Sequence, residues 1–358
     1  MRVDTRRLRP SLALIALAVA ALLSHASPVA AQNVSGAGST LAQPLLNLWS
    51  QQYLRSQWTA ESQPVGGLDY EAVGSQAGVM RIKERAVDFA ATEVPLSPDE
   101  LKQYGVVQFP IAVAGVVAAV NLPGVKAGAL KLSGELIADI YLGKVGNWSD
   151  PAIKALNPDV ALPNAAIVPV RRSDGSGTTF AFTSYLATSS AAWRPIGAGL
   201  TVAWPAGRAA KGNTGVAEAV KQTPNAIGYL DFATARLAGI STAALQNGSG
   251  AFIAPAPDSF QTAAAMAEWS PANDFGLSLI GAPDRAAYPV VTATFVLIPD
   301  RRPISTSAAA TIAFFDWAFE HGAKDAAALG YVALPASLLQ QVRVHWTEKL
   351  DATPAVLR

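Results

Sequence analysis

The sequence predicts an α/β fold whose sheet contains parallel strands. Segments with helical apolar spacing alternate with short apolar runs that are typical of strands. Two runs, 108–121 and 288–299, are longer, apolar and β-rich, and they are the segments best suited to cross between two lobes. Apolar residues make up 51% of the chain and charged residues 15%, so the chain can bury a large core. The length suits one large domain or two of ordinary size.

The predicted helices have apolar residues at a period near 3.6, and glycine or proline marks several of their ends. They cover residues 41–54, 77–84, 136–142, 180–187, 216–221, 308–321 and 336–344. The other predicted strands are short apolar runs bounded by breaking residues. They cover residues 87–91, 166–170 and 226–230. Because strands and helices alternate, parallel pairing is favoured.

Three short loops of glycine and hydroxyl residues each precede a predicted helix. The first loop covers residues 36–40, the second loop 74–78 and the third loop 173–179. A helix N-terminus has unpaired N–H groups and a partial positive charge, so each loop can receive an anion. Arg172 stands beside the third loop, and together the loops suggest one oxyanion held from several sides. A fourth loop of this kind, 211–215, precedes the predicted helix at 216–221.

The N-terminus has the pattern of a secretory signal peptide. Four arginines precede the apolar run 11–23, and small residues at 29–31 form a cleavage site near Ala31. The apolar run is shorter than the roughly 20 residues needed to span a bilayer, which disfavours the alternative of an uncleaved membrane anchor. We therefore expect residues 1–31 to be a signal peptide and the protein to be located in the periplasm.

Composition excludes several classes of protein. The chain has no cysteine, so disulfides, thiolate metal sites and a lipid-modified cysteine are ruled out. The net charge is +1, which gives no general attraction for nucleic acid. No cluster of Asp, Glu and His has convincing metal-ligand spacing, so we expect neither a metal nor a cofactor.

Eight motifs carry a resemblance to a known family. They lie, in order, at 36–40, 74–75, 87–89, 139–148, 171–178, 211–213, 226–229 and 314–318. With these motifs, nearly all of the chain after residue 31 resembles the periplasmic phosphate-binding proteins of bacterial phosphate ABC importers. The resemblance implies a two-lobed α/β binding protein of type II, a hinged clamp with two crossover segments. It also implies a monomer that is not an enzyme, with inorganic phosphate and a membrane permease as partners.

The resemblance also implies where the lobes lie. Lobe one would be 32–112 plus 293–358, and lobe two would be 113–292. Both borders fall in the two long β runs that the sequence pattern had indicated for crossovers.

Arg172 is the main candidate cation of the site, because a guanidinium can hold two phosphate oxygens in parallel. The family's phosphate ligands match eight residues of this sequence. They are Thr40, Leu41, Ser75, Glu93, Arg172, Ser176, Gly177 and Thr178. Asp174 is expected to pair with Arg172 and to orient its guanidinium, and the alternative is that Asp174 only caps a helix.

Glu93 departs from the family pattern, in which Asp is more frequent at this position. That carboxylate accepts a hydrogen bond from the proton of hydrogen phosphate, and sulfate, which has no proton at neutral pH, would be rejected. We expect Glu93 to keep this role. The alternative is that Glu93 points to solvent and that selectivity for phosphate is weaker. Gln76 also replaces a small residue common in the family.

Two other functions remain open at this stage. The chain could be a receptor for another tetrahedral oxyanion, such as arsenate or sulfate, although Glu93 disfavours sulfate. It could also be an exported hydrolase of phosphate esters with Ser176 or Thr178 as nucleophile. A hydroxyl nucleophile needs a base, and after residue 31 the only histidines are His321 and His345.

Overall fold

A computed structural model describes residues 33–57 and 66–352. The predicted signal peptide lies outside these residues. The strands are β1 Val34–Gly38, β2 Leu68–Glu71, β3 Phe89–Thr92, β4 Val106–Val120, β5 Lys131–Leu132, β6 Val168–Arg172, β7 Arg208–Ala210, β8 Ala226–Asp231, β9 Ser241–Thr242, β10 Ala244–Gln246, β11 Phe252–Ile253 and β12 Val291–Pro299. The helices are α1 Gln43–Gln57, α2 Ser75–Lys83, α3 Pro98–Tyr104, α4 Gly134–Tyr141, α5 Pro151–Leu156, α6 Gly177–Ser189, α7 Gly212–Gln222, α8 Phe232–Leu237, α9 Pro257–Ala265, α10 Thr306–His321, α11 Ala323–Leu329 and α12 Ala336–Leu350. A 3₁₀ turn covers Pro271–Asn273.

The main sheet contains two sets of parallel strands with antiparallel strands between them. Its strand order is β2-β1-β3-β12-β4-β8-β6-β7, and β9 also pairs with β4. Strands β1, β2 and β3 are mutually parallel, as are β6, β7 and β8. Strands β12 and β4 are antiparallel to their neighbours. A smaller sheet has the order β11-β10-β5. The predicted α/β architecture with parallel pairing is confirmed.

Strand β4 belongs to both halves of the fold. All 15 of its residues are buried, which is why it reads in the sequence as one continuous apolar run. Residues 106–115 pair with β12, and residues 116–120 pair with β8. The strand therefore joins the half that contains β1–β3 to the half that contains β6–β8, without a loop between them.

The carboxyl ends of the two parallel sets carry the loops that the sequence singled out. The first loop begins in the last residues of β1 and extends past it, the second loop follows β2, and Glu93 directly follows β3. In the other half, the third loop follows β6 and the fourth loop follows β7. Ligands of open α/β sheets bind outside the carboxyl ends of parallel strands. The topology thus brings these loops to the edges at which such sites form.

Aromatic side chains fill the core of each half. In the half with β1–β3, the ring of Phe315 makes edge contacts with Phe89 and Phe109 at 5.5 and 5.6 Å between centroids. In the other half, Phe182 stacks on Tyr229 at 4.3 Å. Such pairs add about 0.5–1.5 kcal/mol each beyond area burial, so they stabilise the packing beneath the loops of both halves. In the part of the chain described, no helix has the length and apolar character needed to cross a membrane.

Candidate functional site

The first and second loops are held together by backbone contacts. The N–H of Ser39 donates to the carbonyl of Ala91 in β3 at 2.9 Å, and the N–H of Gly74 donates to the carbonyl of Gly38 at 2.8 Å. A Cβ on Gly78 would lie 2.4 Å from the Cα of Gly38, so only glycine allows this close approach of α2 to the first loop. The starts of α1 and α2 are thereby fixed side by side.

Glu93 faces the interior and not the solvent. Its side chain accepts hydrogen bonds from the hydroxyls of Ser39, Ser75 at 2.9 Å and Thr294 at 3.3 Å. Only 3% of the residue is exposed. Burial raises the pKa of the Glu93 carboxyl, and the three hydroxyls and the charge of Arg172 only partly offset that rise. A buried acceptor thus lies at the meeting point of the first two loops.

Arg172 is held by two side chains of its own half. Its Nε donates to Asp174 Oδ1 at 2.8 Å, its Nη2 donates to Asp174 Oδ2, and its Nη1 donates to Asn213 Oδ1 at 2.7 Å. Burial raises the pKa of Asp174, but the hydrogen bonds and charge of Arg172 outweigh this and leave the pKa below its usual value. The bidentate pair fixes the plane of the guanidinium. Asp174 does not cap α6, because Ser176 occupies that position, but its Oδ1 also accepts from the N–H of Gly212, the first residue of α7, at 3.0 Å.

The third loop begins α6 and contacts the second loop. The Ser176 hydroxyl caps the helix by accepting from the N–H of Thr179 at 3.2 Å. The N–H of Gly177 donates to the Ser75 hydroxyl at 3.0 Å. A Cβ on Gly177 would lie 2.3 Å from Glu93 Oε2, so glycine is needed where α6 meets this carboxylate. The N-terminus of α6 therefore points at Glu93 and Ser75.

The fourth loop supplies Asn213, which is not among the ligands predicted from the sequence. Besides accepting from Arg172, its Nδ2 donates to Thr178 Oγ1 and its N–H donates to Thr40 Oγ1, both at 3.3 Å. Asn213 is 1% exposed and connects the first loop to the third. The available signal was the glycine-containing segment 211–215, which forms the start of α7 and resembles the three loops already chosen.

Tyr229 and Asp231 lie behind Arg172. The N–H of Arg172 donates to the Tyr229 hydroxyl at 3.1 Å, and that hydroxyl lies 2.8 Å from Thr179 Oγ1. Asp231 is fully buried, and its Oδ1 accepts from the N–H of Thr234 at 2.8 Å. Its Oδ2 has no hydrogen-bond partner among the described residues. Burial raises the pKa of Asp231 to about 6, although the Thr234 hydrogen bonds and the Arg172 charge oppose the rise.

The structure gathers all the sequence-predicted site residues at the junction of the two halves. Asn213 and seven of the eight predicted ligands are at most 7% exposed. These seven ligands are Thr40, Leu41, Ser75, Glu93, Arg172, Ser176 and Thr178. The N–H of Leu41 donates to Ser39 Oγ at 3.0 Å. Hydroxyl and N–H donors thus approach from both halves, with one guanidinium and one buried carboxylate. Such a set suits a small oxyanion that keeps one proton.

Residues able to hold a metal do not cluster here. Across 33–57 and 66–352, no three or more His, Cys, Asp and Glu side chains are grouped so that they could hold a metal ion.

Comparisons with known proteins agree with this architecture. A family model described as a PBP superfamily domain matches residues 24–321. The phosphate-binding protein PstS of Xylella fastidiosa is 41% identical over 319 residues, covering 88% of this chain and 85% of that protein. The phosphate-binding protein PstS of Pasteurella multocida is 39% identical and covers 90% of this chain and 92% of that protein.

Solved structures share the fold at lower identity. A putative phosphate ABC transporter substrate-binding protein with bound phosphate from Clostridium perfringens has a TM-score of 0.59 at 20% identity, covering 85% of this chain and all of that one. An ABC-type phosphate transport receptor from Vibrio cholerae has a TM-score of 0.53 at 19% identity, with 85% of this chain and 100% of that chain covered. Two binding proteins thus share its fold, and relatives near 40% identity align with most of its length. The chain therefore belongs to the PBP superfamily and, within it, to the family of the phosphate-binding proteins PstS.

Proposed function

We propose that this protein binds inorganic phosphate between its two halves and delivers it to the membrane permease of an ABC importer. The observation that carries the proposal is the convergence of helix N-termini and Arg172 on one buried carboxylate, Glu93. Relatives that cover most of the chain are phosphate-binding proteins, which supports the choice of ligand. The protein acts in this proposal as a binding protein and not as an enzyme.

Donors from both halves hold the anion in this proposal. The proposed ligands are Thr40, Leu41 and Ser75 from the first two loops, Glu93, and Arg172, Ser176, Gly177 and Thr178 from the other half. Asp174 orients Arg172. On binding, hydrogen bonds between the loops, such as that from Gly177 to Ser75, are exchanged for bonds to phosphate oxygens. Each charge-assisted bond contributes about 1.5–3 kcal/mol net, so several are enough for a micromolar site at about −8 kcal/mol.

Glu93 gives the site its selectivity in this proposal. Hydrogen phosphate can donate a hydrogen bond to the Glu93 carboxylate. Sulfate has no proton to donate, so it would place an unprotonated oxygen against the buried negative charge of Glu93. Arsenate has the same proton and the same shape, so this mechanism admits it as well.

A hydrolase is the weaker alternative because neither described histidine is near the hydroxyls of the third loop. His345 is buried beside Asp274, with 3.4 Å between Nε2 and Oδ1. His321 stacks on Trp317 at the end of α10. These are the two histidines of the described residues, and neither contacts Ser176 or Thr178.

We further propose that the halves act as two lobes, 32–112 plus 293–358 and 113–292, which close on the anion. β4 and the run 288–299, which contains β12, would be the crossovers. A ligand that contacts both lobes favours the closed arrangement, because only there does it gain all of its contacts. Residues 1–31 would direct export and be removed near Ala31, leaving a monomer in the periplasm that does not bind nucleic acid.

Calorimetric titration of the ligand-stripped protein tests the proposal. Phosphate should bind with a dissociation constant in the micromolar range or below, and sulfate at equal concentration should not displace it. Absence of binding heat with phosphate would contradict the proposed function. Turnover of a generic phosphate ester above background would favour the hydrolase instead.

A further inference from the structure

Two tyrosine hydroxyls donate hydrogen bonds to backbone carbonyls at the end of the first loop and directly after it. The hydroxyl of Tyr70, in β2, donates to the carbonyl of Ser39 at 2.8 Å. The hydroxyl of Tyr331, which follows α11, donates to the carbonyl of Leu41 at 2.6 Å. The two acceptors are two residues apart in the chain, although the donors come from opposite ends of the sequence.

The planarity of the peptide bond gives these contacts a directional effect. In a trans peptide, the carbonyl of one residue and the N–H of the next point to opposite sides. A Ser39 carbonyl fixed on Tyr70 therefore turns the N–H of Thr40 away from Tyr70. That N–H donates to no residue within 33–57 or 66–352. It is thus left as a donor in the loop that faces Arg172 and Glu93.

Tyr331 has the equivalent effect on the next peptide but one. With the Leu41 carbonyl fixed, the N–H of Ala42 turns to Ser39 Oγ, which it reaches at 3.2 Å. Ser39 Oγ in turn donates to Glu93. The Tyr331 contact thereby fixes the hydroxyl that supports the buried carboxylate.

Both tyrosine rings are packed in the fold, and both hydroxyls remain protonated donors. The ring of Tyr70 stacks on Phe89 with 5.8 Å between centroids, and Tyr331 is 2% exposed. Burial, together with the negative charge of Glu93, raises the pKa of the Tyr70 hydroxyl well above its usual value. Burial and the charges of Asp231 and Glu93 do the same for Tyr331. Each hydroxyl donates to a backbone carbonyl and not to a side chain of the proposed site, so its effect on anion binding passes through the loop.

We propose that Tyr70 and Tyr331 are positioning residues of the anion site. Tyr70 orients the first loop so that the N–H of Thr40 and not the carbonyl of Ser39 faces the anion, and Tyr331 fixes the Ser39 hydroxyl that supports Glu93. The inference rests on the proposed function, because phosphate is the anion whose binding reports it. Loss of either hydroxyl leaves a buried carbonyl without its partner, and the peptide can then rotate. A carbonyl oxygen turned toward phosphate repels it.

The test uses Tyr70→Phe and Tyr331→Phe, which remove only the hydroxyl oxygen. The matched control is Tyr185→Phe, because Tyr185 is buried to a degree similar to Tyr331 and its hydroxyl also donates to a carbonyl, that of Gln246 at 2.7 Å, away from the site. Phosphate affinity is measured by calorimetry for each protein. We expect Tyr70→Phe and Tyr331→Phe each to weaken binding by at least tenfold, and Tyr185→Phe to change it by less than twofold.

A second readout separates orientation from general stability. In ¹⁵N-labelled protein, the Thr40 amide resonance should move downfield when phosphate binds, as the N–H donates to the anion. In Tyr70→Phe that movement should be much smaller, whereas Tyr185→Phe should retain it. Should Tyr331→Phe fail to fold, Tyr70→Phe carries the test, because Tyr70 is only partly enclosed.

Three outcomes distinguish the two proposals. Weaker binding with a lost Thr40 shift supports the positioning role. If the wild-type protein binds phosphate and both variants keep its affinity and its Thr40 shift, the positioning role is overturned and the proposed function stays intact. Wild-type protein that does not bind phosphate overturns both.

Discussion

The N–H of Gly177 donates a 3.0 Å hydrogen bond to the hydroxyl of Ser75, 102 positions earlier in the chain. Ser75 also donates to Glu93 at 2.9 Å. The first residue of α6, the first residue of α2 and the buried carboxylate therefore form one connected set. A change at any of these three positions should therefore alter the hydrogen bonds of the other two.

Gly177→Ala should weaken phosphate binding strongly. The added Cβ would lie 2.3 Å from Glu93 Oε2 and 2.7 Å from Glu93 Cβ, so α6 or Glu93 must move. We expect at least a tenfold loss of affinity, or about 1.4 kcal/mol, in calorimetry. Gly146→Ala is the control, since its Cβ would meet nothing within 4 Å. Equal affinities for both variants would contradict the proposed contact between the third loop and the anion.

Arg172→Ala should abolish phosphate binding, and Arg172→Lys should not restore it. Lysine keeps the charge but cannot hold Asp174 through two parallel hydrogen bonds and also reach Asn213. We expect at least a hundredfold loss for Arg172→Lys by calorimetry. Arg171→Ala is the control, because among the described residues the Arg171 guanidinium donates to the carbonyl of Arg172, at 3.3 Å, and not to a side chain of the site. A lysine variant with near wild-type affinity would show that charge alone is sufficient.

Glu93→Gln should change the preference between anions. A glutamine amide can donate to an unprotonated oxygen, so sulfate should bind more tightly and phosphate less tightly than in the wild type. Competition titration should show the ratio of the two affinities moving toward sulfate by at least tenfold. Glu100→Gln, which alters the exposed capping box of α3, should leave the ratio unchanged. An unaltered ratio in Glu93→Gln would mean that selectivity arises elsewhere.

The presence of the main helices could be predicted from the sequence better than the residues at which they begin and end. Helical spacing located α1 and α6, but α6 begins at Gly177 and not at residue 180. Its first turn consists of small hydroxyl and glycine residues that face the site, so it carries no apolar period. β1 was missed for a related reason, because Val34–Gly38 is rich in glycine, which has low strand propensity. Tertiary packing between β2 and β3 makes it a strand.

Within the site, contacts between residues that are near in the sequence could be predicted, and contacts between distant residues could not. Asp174 and Arg172 are two residues apart, so their pairing follows from the sequence and is present in the structure. The inward placement of Glu93 was expected from the family resemblance and not from any local pattern. Asn213 and Tyr331 reach the first loop across 173 and 290 positions. Only the sheet order brings them there, and no local pattern encodes it.

Asp231→Asn should stabilise the protein at alkaline pH. Because the pKa of Asp231 is raised to about 6 in the fold, its contribution to stability is full below the pKa of about 3.9 in the unfolded chain and is lost as pH rises through 6. Asparagine removes that charge and still caps α8. At pH 8 the variant should be more stable than the wild type by up to about 3 kcal/mol, since each pKa unit corresponds to about 1.4 kcal/mol.

Urea unfolding of wild type and Asp231→Asn between pH 4 and 8 measures this difference, which should shrink toward the acid end. Asp150→Asn is the control, because Asp150 also caps a short helix, accepting from the Ala152 N–H at 2.8 Å, but is only half-buried. A stability difference that does not depend on pH would contradict the assignment of the raised pKa to Asp231.

The place of β12 in the sheet sets the order in which a growing chain can complete its two halves. The strands β6–β8 and the part of β4 that pairs with them lie within residues 116–231, so they are available early in synthesis. β12 pairs with both β3 and β4 but is made only at Val291–Pro299. Until then, β3 and the first part of β4 have open edges. Chains truncated before residue 291 should therefore fail to retain phosphate, even though each of the proposed ligands has already been synthesised.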